Sequence, residues 1–104
     1  MLYRKLGRTG INASVVAFGG IVVQEAQPSE ASASVKRAIE AGINYFDVAP
    51  MYGDAQYKLG PALKQFRKDV YLACKTVARS AERAQAELDE SLRALGTDYF
   101  DVYQ

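Results

Sequence analysis

The sequence predicts an α/β fold, in which a short N-terminal β-hairpin precedes four strands that alternate with three helices. Three observations support this prediction. Glycines punctuate the first 14 residues as in a hairpin, apolar strand-like segments recur between residues 15 and 104, and amphipathic segments separate them. Strands that alternate with helices are usually parallel. We interpret residues 1–104 as one segment, with the hairpin at 2–14 and the alternating elements at 15–104.

The hairpin is predicted from two short strands, Leu2–Lys5 and Ile11–Ser14, on either side of the turn LGRTG. Gly7 and Gly10 can adopt the positive φ that a tight turn needs. The next segment, SVVAFGG (14–20), is rich in apolar residues and ends in two glycines. It therefore predicts a buried first strand of the alternating series.

The first helix is predicted to begin near Pro28, with Ser29 as its N-cap and Glu30 in its first turn, where the helix dipole favours an acid. Its apolar stripe consists of Val35, Ala38, Ile39 and Gly42. Gly42 is also a natural helix stop. INYFDVAP (43–50) follows as the second strand.

A short helix from about Ala55 to Gln65 and a third strand, DVYLACKT (69–76), come next. The clearest helix begins at Ser80 and ends at Gly96, with Asp89 and Arg93 spaced for an i,i+4 ion pair. Its apolar face consists of Ala84, Leu88, Leu92 and Leu95. DYFDVYQ (98–104) is the fourth strand. Two architectures fit this order, an open doubly wound sheet or half of a (β/α)₈ barrel.

Composition and charge argue against several classes of function. Thirteen basic and twelve acidic residues leave a net charge of +1, without the basic stripe that indicates a nucleic-acid or anionic-membrane partner. With one cysteine and no histidine, an intrachain disulfide and a Cys/His metal site are excluded. No signal peptide or membrane-spanning segment is recognisable, so a cytoplasmic location is expected.

Three polar residues lie where functional residues collect in either architecture, at the carboxyl ends of the strands. Asp47 and Lys75 are near the ends of the second and third strands, and Tyr52 is in the loop after the second. If the strand faces that carry Asp47 and Lys75 both point into a barrel, the carboxylate and the ammonium converge within reach of the phenol.

This trio suits proton donation by a phenol. A free tyrosine has a pKa of about 10, which is high for an acid at neutral pH, and a nearby ammonium lowers the pKa of a phenol by stabilising the phenolate. The aspartate would hold the lysine in place and keep it charged. Such a phenol could protonate a carbonyl oxygen as a hydride reaches the carbonyl carbon.

Each of these residues alone has a plainer explanation. A lysine at a strand end commonly reaches solvent, and an aspartate after a strand commonly caps a turn. Cys74 alternates with Lys75 along the strand, so we expect it to pack outward under a helix as a small hydrophobe with no redox role. The functional interpretation therefore depends on the combination and order of the three candidates.

Four segments together resemble the N-terminal half of an aldo-keto reductase: LGRTGINASVVAFGG, AGINYFDVAPMYG, LGPALKQFRKDVYLACKT and SLRALGTDYFDVYQ. They follow the family's order and spacing over essentially the whole chain. The resemblance implies a (β/α)₈ TIM barrel whose bottom is plugged by the hairpin at 2–14. It also implies an NADPH-dependent oxidoreductase that reduces a small carbonyl substrate, an aldehyde or a ketone.

By the same resemblance Tyr52 would be the general acid, Lys75 its activator and Asp47 the partner of the lysine. The residues expected near the nicotinamide are Gly19, Gly20, Ile21 and Asp47. No metal is implied. The family's catalytic histidine and the half barrel that binds the cofactor phosphates have no counterpart here, so the isolated chain is expected to be an inactive fragment.

Two other interpretations remain open. A non-catalytic half barrel could self-associate, or pair with a complementary half, through its exposed sheet edges. An open-sheet nucleotide binder would carry G-x-G-x-x-G between the first strand and its helix. The segment AFGGIVVQEAQPSE lacks that fingerprint, so this interpretation ranks last.

Overall fold

The computed structural model describes all 104 residues and confirms the α/β fold. Two short strands, β1 (Tyr3–Lys5) and β2 (Asn12–Ser14), pair antiparallel as the predicted hairpin. Four further strands form one parallel sheet in chain order: β3 (Phe18–Gly19), β4 (Tyr45–Asp47), β5 (Tyr71–Cys74) and β6 (Val102–Tyr103).

The helices α1 (Pro28–Glu40), α2 (Ala55–Leu63) and α3 (Ala81–Leu95) lie in one layer, since α1 packs on α2 and α2 packs on α3. The molecule measures 39 × 37 × 19 Å, and its shortest dimension accommodates one sheet and one helix layer. This arrangement fits half of a barrel better than a doubly wound sheet, in which helices cover both faces. None of the helices has the length and apolarity that a membrane crossing requires.

The core lies between the helix layer and one face of the sheet. Phe46 of β4 and Leu72 of β5 are fully buried neighbours at the centre of the sheet, and the rings of Phe18 and Phe46 lie 5.0 Å apart. The helices contribute buried residues that include Val35, Leu59 and Leu95. Because side chains alternate along a strand, Tyr45, Asp47 and Tyr71 lie on the opposite face.

The hairpin is attached at the amino end of β4, opposite the edge that carries the candidate residues. Tyr3 Oη donates to the carbonyl of Gly42 at 2.8 Å, and the Ser14 N–H donates to Asn44 Oδ1 at 2.8 Å. The Asn44 N–H in turn donates to the Ser14 hydroxyl at 3.1 Å. These bonds hold the hairpin against the turn that precedes β4. That it plugs a complete barrel stays a prediction.

All four strands of the sheet are shorter than predicted, and the second and third, expected at 43–50 and 69–76, are reduced to β4 and β5. The buried first strand expected at 14–20 is reduced to β3, and Val15 and Val16 are 50% and 52% exposed. The Val15 N–H donates to the Leu2 carbonyl and the Ser14 hydroxyl donates to the Val16 carbonyl, so these residues form the bend between hairpin and sheet. The fourth strand, expected at 98–104, is reduced to β6.

The N-cap of α1 is Gln27, so the prediction of Ser29 is wrong. Pro28 occupies the first helical position, where its missing N–H leaves no bond unmade. The Gln27 N–H donates to the Glu30 carboxylate at 3.2 Å, which satisfies one of the free donors at the helix start. Gly42 follows the helix with a φ of +93°, as expected for a helix stop.

The ends of α3 confirm the sequence prediction. The Ser80 hydroxyl accepts a backbone N–H of the first turn at 3.3 Å, and Gly96 ends the helix with a φ of +63°. The predicted Asp89–Arg93 ion pair does not form; Asp89 Oδ1 accepts a hydrogen bond from the Gln85 amide at 3.0 Å. The predicted apolar face is buried at its end, where Leu95 enters the core.

Candidate active site

Asp47 and Lys75 form an ion pair at the carboxyl edge of the sheet. Asp47 ends β4 and Lys75 directly follows β5. Lys75 Nζ lies 2.7 Å from Asp47 Oδ2, and the two side chains are 24% and 27% exposed. The hydrogen bond to Asp47 raises the pKa of Lys75 above its ordinary value, against the opposing effect of burial. The ammonium is therefore charged at neutral pH.

Tyr52 reaches the same ammonium from the loop between β4 and α2. Lys75 Nζ donates to Tyr52 Oη at 3.4 Å and lies 5.5 Å from the centre of the phenol ring. Two backbone hydrogen bonds shape the loop: the Tyr52 N–H donates to the Ala49 carbonyl, and the Ala55 N–H donates to the Tyr52 carbonyl. The structure thus brings together all three residues that the sequence singled out.

One carboxylate oxygen of Asp47 has no hydrogen-bond partner. Its Oδ2 accepts from Lys75, whereas its Oδ1 is buried and has no hydrogen-bond partner. A buried acceptor without a donor is destabilising, so such an atom marks a place where a donor from a bound molecule would be favourable.

The first βα-loop lies beside Asp47. Gly19 of β3 pairs in register with Asp47. A Cβ on Gly20 would lie 2.8 Å from the Asp47 carbonyl oxygen and 2.9 Å from Val48 Cβ, so the close approach of the two segments requires glycine there. A Cβ on Gly19 would meet nothing within 4 Å, and Ile21 is 51% exposed. Gly19 and Ile21 thus leave this edge open.

A second set of contacts at this edge was not anticipated from the sequence. Asp54 Oδ1 accepts the Glu25 N–H at 2.8 Å, and this bond is the main reason that the pKa of Asp54 lies below its ordinary value. Lys58 Nζ lies 3.5 Å from Asp54 Oδ2 and donates to the Ala26 carbonyl. The i,i+4 spacing of Asp54 and Lys58 was visible in the sequence, but their backbone partners carry no side-chain signal.

Cys74 packs as predicted, away from the ion pair and into the core beneath the helices. It is fully buried, and its Sγ lies 3.6 Å from Gln56 Oε1 of α2. Burial raises the pKa of the Cys74 thiol above its ordinary value. The thiol therefore stays protonated at neutral pH and packs as a small apolar group.

The Aldo/keto reductase family matches residues 15–104 of this chain. L-galactose dehydrogenase of Arabidopsis thaliana is 37% identical over 114 aligned residues, which cover 95% of this chain and 36% of that protein. Aldo-keto reductase YhdN of Bacillus subtilis is 34% identical, with 100% of this chain and 37% of that protein covered.

The solved structures give the same result. The thermostable aldo-keto reductase Tm1743, in complex with the inhibitor epalrestat, is similar with a TM-score of 0.88 and 29% sequence identity, over 99% of this chain and 42% of that one. This chain spans 36–37% of the length of the two curated relatives. The predicted fold class, part of a (β/α)₈ barrel, is confirmed by this structural similarity. By the family match over residues 15–104, the chain belongs to the aldo/keto reductase family.

Proposed function

We propose that the protein carrying these residues is an NAD(P)H-dependent reductase that transfers a hydride to an aldehyde or ketone. The observation that supports this proposal best is the convergence of three groups: Lys75 Nζ lies 2.7 Å from Asp47 Oδ2 and 3.4 Å from Tyr52 Oη. Relatives of this chain bear the names of reductases and a dehydrogenase, including a 6-dehydroglucose reductase of Novosphingobium aromaticivorans.

In the proposed mechanism Tyr52 is the general acid. As the carbonyl carbon gains a hydride, its oxygen gains electron density and takes the proton from Tyr52 Oη, whose O–H bond breaks. The phenolate that remains lies beside the Lys75 ammonium, which stabilises its negative charge. Asp47 holds that ammonium in place and keeps it protonated.

The residues at this edge fit a nicotinamide cofactor, which supplies the hydride when it is bound. The unpartnered Oδ1 of Asp47 can accept a hydrogen bond from a hydroxyl or amide group. A Cβ on Gly19 would meet no atom within 4 Å, so no side chain obstructs the approach of a ligand there, and exposed Ile21 offers an apolar contact. We propose NADPH as the cofactor and a small carbonyl compound as the substrate, on the family resemblance.

The test uses the polypeptide that the gene encodes, with Tyr52→Phe as the variant and Tyr57→Phe as its matched control. Tyr57 lies on α2 and is 60% exposed. Carbonyl-dependent loss of NADPH absorbance is measured over a panel of short aldehydes and ketones. We expect Tyr52→Phe to lower kcat by about 100-fold or more, since a positioned general acid contributes this much, and Tyr57→Phe to leave it unchanged.

Two results would contradict the proposal. One is a Tyr52→Phe variant that retains the activity of the unaltered protein. The other is a folded gene product that oxidises NADPH with none of the carbonyl compounds.

A second candidate function is that of a half barrel which self-associates or pairs with a complementary half. It is favoured by the open sheet, in which β3 and β6 each have one strand neighbour. Exposed apolar side chains lie on the hairpin and next to β3, where Leu2 is 71% exposed and Val16 is 52% exposed. Unpaired edges and apolar patches of this kind favour association.

Light scattering of the 104-residue chain over a wide concentration range tests this candidate. We expect the average mass to rise with concentration, and Val16→Lys to weaken the rise because it adds a charge to the apolar patch. The same chain is expected to show no NADPH oxidation. A constant monomer mass at every concentration would exclude self-association.

A further inference from the structure

Two loops meet beside the candidate site. The first loop, residues 20–27 after β3, begins with a turn of 3₁₀ helix at Gly20–Val23 that contains Ile21. The loop after β4, residues 48–54, contains Tyr52. Asp54 is the N-cap of α2, and Lys58 lies on the same face one turn later. Both side chains point back to the first loop, so the start of α2 joins the two loops.

Asp54 and Lys58 bind two consecutive residues of the first loop with opposite polarity. The Asp54 carboxylate accepts the Glu25 N–H at 2.8 Å, and the Lys58 ammonium donates to the Ala26 carbonyl. The ammonium also lies 3.5 Å from the second carboxylate oxygen, so the pair is held together at the contact. We refer to Asp54 and Lys58 together as the clamp.

The backbone that the clamp binds is strained. Glu25 has a φ of +62° and is the only residue other than glycine with a positive φ in the chain. A non-glycine residue stays in this region only where surrounding contacts hold it there, and strain of this kind collects near functional sites. The bond from Glu25 N–H to Asp54 supplies such a contact.

A further contact between the loops lies at Gly53, next to Tyr52. Gly53 has a φ of +55°, and a Cβ there would lie 2.6 Å from Nε2 of the Gln24 side chain. The Gln24 side chain therefore lies directly on the Gly53 backbone. Contacts at three consecutive residues, 24 to 26, join the first loop to the loop that contains Tyr52 and to the start of α2.

We propose that Asp54 and Lys58 are positioning residues, which set the first βα-loop at a fixed distance from Tyr52. If the clamp opens, Glu25 relaxes out of its strained conformation, and the loop that contains Gly20 and Ile21 moves relative to the phenol. The consequence for hydride transfer rests on the proposed reductase function, whereas the coupling between the two loops does not.

The test compares Asp54→Ala with Asp54→Asn and with the matched control Glu40→Ala, in the polypeptide that the gene encodes. Asparagine can still accept the Glu25 N–H, so it serves as the conservative rescue. Glu40 forms an ion pair of the same i,i+4 spacing with Lys36 on α1, exposed and away from the loops. Lys58→Met removes the bond to Ala26 and the ion pair with Asp54 but leaves the bond from Glu25 N–H to Asp54, and it replaces Asp54→Ala if that variant does not fold.

Three quantities are measured: hydrogen exchange of the Glu25 amide, the NMR signals of the isotope-labelled Tyr52 ring, assigned with Tyr52→Phe, and the Kd for NADPH. For Asp54→Ala we expect exchange at Glu25 to be about tenfold faster, as befits the loss of one hydrogen bond. We also expect shifted Tyr52 ring signals and a Kd raised about tenfold. Asp54→Asn should restore most of each value, and Glu40→Ala should change none.

The outcomes separate this inference from the proposed function. Unchanged Glu25 exchange and Tyr52 signals in both Asp54→Ala and Lys58→Met would overturn the coupling. A protein that binds no NADPH, but whose Tyr52 signals respond to the clamp variants, would contradict the proposed function and leave the coupling supported. An NADPH Kd that is the same in Asp54→Ala and the unaltered protein would contradict the positioning role alone.

Discussion

The lysine–carboxylate pairs of this chain differ in the fraction of their side chains that is exposed to solvent. Lys75 and Asp47 are 2.7 Å apart, with side chains that are 24% and 27% exposed. Lys36 and Glu40 are 3.9 Å apart, with side chains that are 68% and 64% exposed. Water screens the charges of the second pair, and it solvates those of the first pair only weakly. Without its lysine, Glu40 would still be solvated by water, whereas Asp47 would be left poorly solvated and without a counter-charge.

The two pairs therefore make a controlled comparison. We expect Lys75→Met to lower the free energy of unfolding by about 1–3 kcal/mol, because it leaves a part-buried carboxylate without a donor. Lys36→Met should change it by less than about 0.5 kcal/mol. Urea unfolding followed by circular dichroism measures both values. Equal effects of the two substitutions would show that burial of the Asp47–Lys75 pair has no energetic consequence.

Cys74 is expected to make the free energy of unfolding depend on pH in the alkaline range. Burial raises the pKa of its thiol above the ordinary value of 9.0. As the pH rises past that value, the thiol of the unfolded chain ionises before the buried one, so the unfolded state binds fewer protons and the free energy of unfolding falls. Below that pH both states are protonated and the effect disappears.

Cys74→Ala removes this contribution. We expect its free energy of unfolding to fall less steeply between about pH 8 and about pH 10 than that of the unaltered protein. The slope is compared rather than the absolute stability, because the smaller side chain also leaves a cavity. Urea unfolding at several pH values measures the slope. A slope identical in the two proteins would show that the thiol is not protected from ionisation by the fold.

At the scale of elements, Gly60 decides how closely α2 and α3 approach. A Cβ at Gly60 would lie 2.6 Å from the Leu95 carbonyl oxygen and 2.9 Å from Leu95 Cα. Both are backbone atoms at the end of α3. Unlike the end of a flexible side chain, they cannot rotate away from an added Cβ. Helix propensity and packing therefore make opposite predictions for alanine at this position, since alanine favours a helix interior by about 1 kcal/mol over glycine.

We expect packing to outweigh propensity. Gly60→Ala should lower the free energy of unfolding by about 1–3 kcal/mol, the usual effect of overpacking a tight contact. Gly19→Ala is the control for stability, because its φ is −77° and its added Cβ meets no atom within 4 Å. Thermal and urea unfolding measure both. An increase in stability for Gly60→Ala would show that the two helices can separate freely.

Helix ends show which parts of the fold can be predicted locally. Ser80 and Gly96 bound α3 as predicted, since each signal acts through a backbone position next to the helix. Ser29 was misassigned because its residue type is a good cap, but Pro28 already occupies the first turn and Gln27 supplies the capping position. A favourable residue type does not determine which of three neighbouring positions is the cap.

In the candidate site, too, some contacts could be predicted from the sequence and others could not. Strand alternation and order predicted that Asp47 and Lys75 converge near Tyr52 on the condition that both strand faces point into a barrel, and strand register then fixes where their side chains start. The contact of Asp54 with Glu25 could not be predicted, since it depends on one strained backbone conformation in a loop. Loop conformation follows from tertiary contacts, which a sequence pattern with period 2 or 3.6 does not encode.

At the scale of the whole molecule, the sheet has a protected centre and two outer strands with one neighbour each. The Val48 N–H donates to the Ala73 carbonyl between the central strands, and Val48 is fully buried. The Gln104 N–H donates to the Cys74 carbonyl at the outer side, and Gln104 is exposed. Local opening at an edge breaks few buried contacts, so its free energy is lower than that of global unfolding.

Amide hydrogen exchange of the 104-residue chain therefore tests the open sheet and its association together. At low concentration we expect the Val48 amide to exchange only by global unfolding and the Gln104 amide to exchange at least about tenfold faster, by opening of the edge. If copies associate through β6, the Gln104 amide gains protection as the concentration rises, because a second chain then blocks the opening. The Val48 amide serves as the internal reference. Equal protection of the two amides in a monomer would mean that the edge is as stable as the centre, and association through β6 would lose its physical basis.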